Sequence, residues 1–397
     1  MRISLYIFVL FFFELGYAQD YWIPRDSMNG PPRSASMSFV MNNEAWIIGG
    51  LDFEEFKRTM YSYDLDQDDW DDEEKMGGAS GSGLSRASGI ACAIHEKAYV
   101  GLGTGIIPFF NDLWEYDDEL KVWSQKANFP GEGRREAICF SIDSTLYMGT
   151  GVNSEGLLND FWKYEPHNNT WTQLNDFEGE VRRDAVGYKM GGKGYLGTGV
   201  GETGYLNDFW EYDPSTDTWN NLADFPGTPR HGAVGFGVFP NAYIALGEDN
   251  TFSYKKDVWE YNYFGNYWTQ KNDFYGAPRA QAVAMVVDQR IFVGSGYNGQ
   301  YFDDFFEYFY ALETTSYDHI IQVYPNPSNG IISFKNLNNS TNNYLTIYDF
   351  QGRLIVPRMK LKDSSVDLNS FGNFAVGTYI IELESNDEKF IQKIKIL

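Results

Sequence analysis

Apolar and polar residues alternate in short runs along most of this chain, and glycines or charged clusters break the runs every few positions. Alternation of period two over such short windows predicts β-strands joined by tight turns. The runs also repeat, with a period of about 48 residues. Asn111-Asp112-Leu113-Trp114-Glu115-Tyr116-Asp117 returns as Asn159-Asp160-Phe161-Trp162-Lys163-Tyr164-Glu165 and as Asn207-Asp208-Phe209-Trp210-Glu211-Tyr212-Asp213. Weaker copies are Lys256-Asp257-Val258-Trp259-Glu260-Tyr261 and Asp303-Asp304-Phe305-Phe306-Glu307-Tyr308, and the most degraded is Tyr61-Ser62-Tyr63-Asp64. A Trp follows each of five copies, at Trp70, Trp123, Trp171, Trp219 and Trp268. An Arg then opens the next unit, at Arg33, Arg86, Arg135, Arg183, Arg230 and Arg279. A Tyr-x-Gly-x-Gly run comes later in the unit, as in Tyr99–Gly103, Tyr147–Gly151 and Tyr195–Gly199.

Each unit therefore offers four short strands. Strand a follows the Arg, b carries the Gly pair, c carries Asp-x-Trp-x-Tyr, and d carries the later Trp. A sheet of this kind is apolar on both faces and must bury both against neighbours, which radial packing into a β-propeller achieves. Six opening Arg and six copies of strand c predict six blades. Only five Trp follow a strand c; the sixth is Trp22, which precedes Arg33 as Trp219 precedes Arg230. The N-terminal strand is thus expected to complete the last blade and close the ring. The pattern resembles the kelch repeat of galactose oxidase-like propellers over roughly residues 20–310, and the resemblance implies an all-β, six-bladed kelch β-propeller.

The two ends read differently. Arg2, the apolar run Ile3–Phe13, and the small residues Gly16 and Ala18 form the pattern of a secretory signal over residues 1–18. The propeller is then expected over 19–310 and a linker over 311–320. Residues 321–397 hold Tyr324-Pro325-Asn326-Pro327-Ser328-Asn329-Gly330, Asp349-Phe350-Gln351-Gly352-Arg353 and Ala375-Val376-Gly377-Thr378-Tyr379, with β-rich runs between them. That pattern predicts a small Ig-like β-sandwich. In this order at the C-terminus, with Pro325, Asn326, Pro327, Gly330, Gly352 and Gly377 as the fixed points, the motifs resemble the type A sorting domain of the Bacteroidota type IX secretion system. The resemblance implies export to the medium or the cell surface, with the secretion machinery as partner.

Composition sharpens what this scaffold can meet. The chain carries 31 basic and 55 acidic residues, a net charge of -24, so nucleic acid and anionic lipid are disfavoured partners. No run after the signal reaches the ~20 apolar residues of a membrane-spanning helix. The propeller holds the whole charge excess and every Trp.

The d-to-a and b-to-c loops should share one face of the disc. The six Arg, with Asp112, Asp160, Asp208, Asp257 and Asp304, should therefore meet near one mouth of the channel. Paired, they would be architecture; unpaired, they would form an anion site. Glu136, Asp184 and His231, beside the Arg and varying between blades, are candidate ligand-binding residues, as are the loop residues Glu155, Glu202, Glu248, Asp249, Phe109, Tyr205 and Tyr301. The leading expectation is a non-catalytic module binding an unknown protein or glycan at this mouth. The alternative, from resemblance to bacterial kelch sialic-acid mutarotases, is a sugar-acid mutarotase or epimerase using the Arg-lined mouth.

No cofactor or metal is expected. A copper site of the galactose-oxidase type needs two His together, and only His231 of His95, His167, His231 and His319 falls at the mouth. The run from Asp64 through Asp66 and Asp68 imitates a calcium loop, but Asp69 stands where that loop needs Gly, and a solvated turn is expected. Cys92 and Cys139 lie on strand a of adjacent blades, six and four residues after the local Arg; out of register, they are expected to be buried free thiols without a disulfide.

Overall fold

The computed structural model describes residues 20–78, 84–310, 322–335, 337, 343–361, 363–372, 374–385 and 388–397. The expected signal segment and the 311–320 linker lie outside them. Six four-stranded antiparallel sheets make up the first region. The first is Met37–Met41, Glu44–Ile48, Met60–Asp64 and Asp69–Glu73. The next four repeat that order, with strands a beginning at Ile90, Ile138, Val186 and Val234. The sixth sheet has Val283–Val287, Arg290–Gly294 and Phe305–Phe309 as strands a to c. Its strand d is the N-terminal Tyr21–Arg25, with Trp22 opposite Tyr308. Each strand a packs against the strand a of the next sheet, and the last returns to the first, so the sheets form a closed ring.

The blades adhere through their apolar faces. Between blades three and four, for example, Ile138, Phe140 and Phe161 meet Leu196, Tyr212 and Trp219. Polar links reinforce the rim. The indole N–H of Trp70, Trp123, Trp171 and Trp268 donates to the carbonyl just past strand d of the preceding blade, on Asp26, Glu74, Ala127 and Ala223, at 2.8–3.0 Å. Four of the six strand-d Trp thus tie a sheet to its neighbour as well as filling the gap between them; the buried indole N–H of Trp22 and Trp219 makes no such bond.

The C-terminal region is a second all-β unit. One sheet holds Gln322–Tyr324, Ile331–Lys335 and Ser365–Asp367; the other holds Leu354–Lys360, Asn343–Asp349, Gly377–Ser385 and Glu388–Ile396. They enclose one core that includes Val323, Ile332, Leu345, Ile347, Ile381 and Ile394. The Pro-Asn-Pro stretch is laced to the last strand: Ser328 N–H donates to Lys395 O, and Asn326 Nδ2 to Lys393 O. This unit rests on the propeller's a-to-b and c-to-d side. Tyr348 packs on Phe239 and Phe264, and Gly352 touches Gly191 so closely that a Cβ there would lie 2.3 Å from its Cα. The channel mouth lies on the opposite face, away from the described residues of this unit.

Candidate functional site

The repeated Arg are buried clamps. Arg86, Arg134, Arg182 and Arg230 each hold a strand-c carboxylate in a two-pronged ion pair at 2.5–2.9 Å, on Asp112, Asp160, Asp208 and Asp257. Arg279 holds Asp304 the same way. In four blades the second oxygen also accepts the indole N–H two residues on, from Trp114, Trp162, Trp210 and Trp259. This explains why Asp-x-Trp travels as a unit. Each guanidinium also donates at 2.9–3.1 Å to a strand-b carbonyl sixteen residues later, that of Leu102, Thr150, Thr198, Leu246 or Ser295. Those five residues have positive φ, as does the Gly after each, so the Gly-x-Gly signature is the turn that aims a carbonyl at the clamp.

The expected register was wrong in two blades. Arg134 and Arg182, not Arg135 and Arg183, are the buried members of their doublets. Neighbours in an extended segment point to opposite sides, so a one-residue shift exchanges interior for mouth. The discriminating signal was a Phe five residues earlier. Phe129, Phe177, Phe225 and Phe274 lie under Arg134, Arg182, Arg230 and Arg279, 4.7–5.1 Å from guanidinium to ring. Blade one departs: Arg33 is equally buried but faces Thr59 Oγ1 at 2.8 Å and Tyr61 instead of a carboxylate, and burial pushes its pKa down.

Just beyond the clamps, six residues of positive φ ring the channel: Ala35, Ser88, Glu136, Asp184, Gly232 and Gln281. Each donates its N–H to the carbonyl of the preceding member, and Ala35 to Gln281, at 2.8–3.2 Å, which closes a circular belt. The cavity inside is about 130 Å³. The belt is symmetric in its backbone and lopsided in its side chains. Four members are small or neutral. The other two begin a charged arc in which Glu136 pairs with Arg183, Arg135 Nε lies 3.4 Å from Glu136, and Asp184 lies 2.6 Å from His231 Nδ1. Glu248 stands 3.9 Å from the far nitrogen of His231, and Tyr205 meets that ring edge-on at 5.1 Å. Burial and the Asp184 charge raise the pKa of Glu136 against the pull of Arg183. For His231, burial opposes the charge, but Asp184 and Glu248 outweigh it and raise the pKa.

Family models match this chain in three places. Residues 23–184 match the KLHDC2/KLHL20/DRC7 kelch-repeats domain, residues 194–226 the kelch motif, and residues 322–397 the secretion system C-terminal sorting domain. The chain is a kelch-repeat protein with a type IX secretion sorting domain. No curated protein matches it. The sorting domain indicates secretion or attachment at the cell surface, and interaction with the secretion machinery. Among the described residues no helix is long and apolar enough to cross a membrane.

The kelch propeller therefore commits its repeated Arg to its own frame, leaving Arg135 and Arg183 from the expected set at the mouth. The mouth is a mixed-charge arc, not a ring of free guanidinia. His95 and His167 sit in an a-to-b and a c-to-d turn on the far face, and His95 contacts Ser144. The Asp64 run is a c-to-d turn whose carboxylate accepts the N–H of Asp66 and Gln67. Composition hid one further feature. The b-to-c loop tips of blades one, two and five present Phe53, Ile106 and Phe252 to water, 91%, 81% and 77% exposed. All three tips rise on the face that carries the charged arc.

Proposed function

We propose that the exported kelch propeller is a non-catalytic binding module that takes a protein surface across its b-to-c face. The apolar tips Phe53, Ile106 and Phe252 would supply desolvated anchors, and the arc of Arg135, Glu136, Arg183, Asp184 and His231 would supply polar selectivity. The observation that carries this reading is the departure of one face from sixfold repetition. Interior positions repeat because they hold the ring, whereas these apolar side chains fill no core and cost solubility. A cavity near 130 Å³ is small beside the roughly 300–1,000 Å³ of ordinary small-molecule pockets, which favours a flat partner over an engulfed one. The sugar-acid mutarotase has no observation in its favour, since five of the six guanidinia that motivated it lie against carboxylates and the sixth, Arg33, is buried on Thr59 and Tyr61.

The test is a binding screen of the purified secreted protein against a library of cell-surface and secreted proteins and a glycan array. The expected result is a protein ligand whose affinity drops roughly tenfold or more in the Phe53→Ser, Ile106→Ser, Phe252→Ser triple variant, with an unchanged melt. No ligand in either screen, a glycan ligand alone, or full binding by the triple variant would overturn the reading.

A further inference from the structure

We propose that Cys92 and Cys139 form a disulfide that staples blade two to blade three once the chain is exported. Their sulfurs lie 2.8 Å apart across the blade interface, closer than two unbonded thiols ordinarily rest. The parity of the strands brings them there. On strand a, Ile90, Cys92 and Ile94 face the next blade, whereas Ala91 and Ala93 face the preceding one. In blade three, Ile138, Phe140 and Ile142 face blade four, and Cys139 turns back toward blade two. Two residues meet across this interface only if they occupy positions of opposite parity. With the register set by Arg134, Cys139 is five residues from its clamp and Cys92 is six from Arg86, which satisfies the condition. The six-and-four spacing that argued against a bond was counted from Arg135; counted from the buried Arg134 it becomes six and five, the opposite parity that permits one.

The compartment supplies the chemistry. A chain with a type IX sorting domain leaves the cytosol and its reducing thiol pool, and disulfides persist outside. Cys139 is the more accessible sulfur and Cys92 is buried. The oxidant is a disulfide-bearing thiol oxidant of the export route. The Cys139 thiolate attacks one of its sulfurs, forming a mixed disulfide and releasing one thiolate. Cys92 then gives up its proton and attacks Cys139 Sγ, forming the Cys92–Cys139 bond and releasing the second thiolate. Two electrons pass to the oxidant, which leaves as two thiols with the two cysteine protons. Burial, and then the neighbouring sulfur, push the Cys92 thiol pKa up, so the second step belongs before the interface has fully closed.

The full chain should be secreted from a host with this machinery, denatured in N-ethylmaleimide without reductant, digested and mapped. The expected result is no label on either cysteine and a cross-linked peptide joining Cys92 to Cys139 that separates on reduction. A Cys139→Ser variant should take one label, on Cys92. Labelling of both cysteines in the secreted wild-type protein would overturn the proposal. So would two unlabelled cysteines that are not linked to each other but carry separate caps, with the reduced thiols failing to couple in oxidised glutathione during refolding. Reduction of the folded protein should also lower its melting temperature to that of the Cys92→Ser, Cys139→Ser double variant, and an identical melt before and after reduction would refute the stapling role.

Discussion

Replacing Arg182 and Arg183 separately by Met tests the architecture with a one-residue displacement. The Arg182 side chain is fully buried, and its carboxylate partner Asp208 is 26% exposed. Its loss strips Asp208 of both charge-assisted bonds, leaves the carbonyls of Thr198 and Glu180 without that donor, and removes the stack on Phe177. Breaking a buried pair by removing one partner costs about 3–5 kcal/mol, and the partial hydration of Asp208 places this case near the lower figure. At ~2.1 cal/mol/K per residue, a ring of roughly 290 residues unfolds with about 0.6 kcal/mol/K, so the midpoint should fall by about 5–8 °C. Arg183 is one-third exposed and pairs with Glu136 at the mouth. Its loss leaves Glu136, 10% exposed, with Arg135 at 3.4 Å as its remaining cation, so Arg183→Met should cost about 1–3 kcal/mol and shift the midpoint by about 2–5 °C, less than Arg182→Met. Matched scanning calorimetry at one scan rate reads both. An Arg183→Met shift as large as that of Arg182→Met would refute the clamp assignment, and a negligible Arg182→Met shift would return that guanidinium to the list of ligand groups.

Three further outcomes are expected. The raised pKa of His231 means that its proton is held more tightly folded than unfolded, so its stabilisation is full on the acid side of the ordinary 6.5 and is lost as pH rises through the folded value. Melts from about pH 6 to 8 should decline more steeply in wild type than in His231→Gln, and parallel profiles would remove the Asp184–His231 pair from the stability account. Trp22 packs edge-on to Phe274 at 4.9 Å and against Tyr308 at 4.6 Å, so Trp22→Ala should cost about 3–5 kcal/mol. Deleting residues 20–30 should abolish the cooperative melt, and an unchanged transition would show that the ring does not depend on its N-terminal strand.

The fold was legible because its determinants are local and repeated. Strands of four or five residues, Gly at turns that demand positive φ, and Trp at a fixed place in each unit all recur within a single period. Even the closure could be read from Trp22, since a missing strand d at one end and a spare one at the other admit one solution. The sorting unit was legible for a different reason, a dense set of turn motifs in fixed order.

The candidate site was legible only in part. Glu136, Asp184 and His231 were singled out as residues that break the repeat; Glu136 and Asp184 lie on the belt, and His231 sits beside it against Asp184. Arg135 and Arg183 were marked for the wrong reason: the spacing to Asp160 and Asp208 differs by one residue between the members of each doublet, and either satisfies a loose repeat. The Phe beneath each true clamp would have decided the matter, but its role as a platform is visible only once the loop folds back. Phe53, Ile106 and Phe252 were lost in a chain whose aromatics serve mostly as mortar.

The sequence by itself determined the strands, the sixfold count and the closure, because each follows from periodicity and turn chemistry within about fifty residues; export was implied by the resemblance of the C-terminal segment to a sorting domain. Only the tertiary structure decided which guanidinium enters the interior, which apolar side chains stay in water, and that Cys92 and Cys139 face each other. Those outcomes depend on which side of a strand meets which neighbour, and a change of one residue reverses every answer.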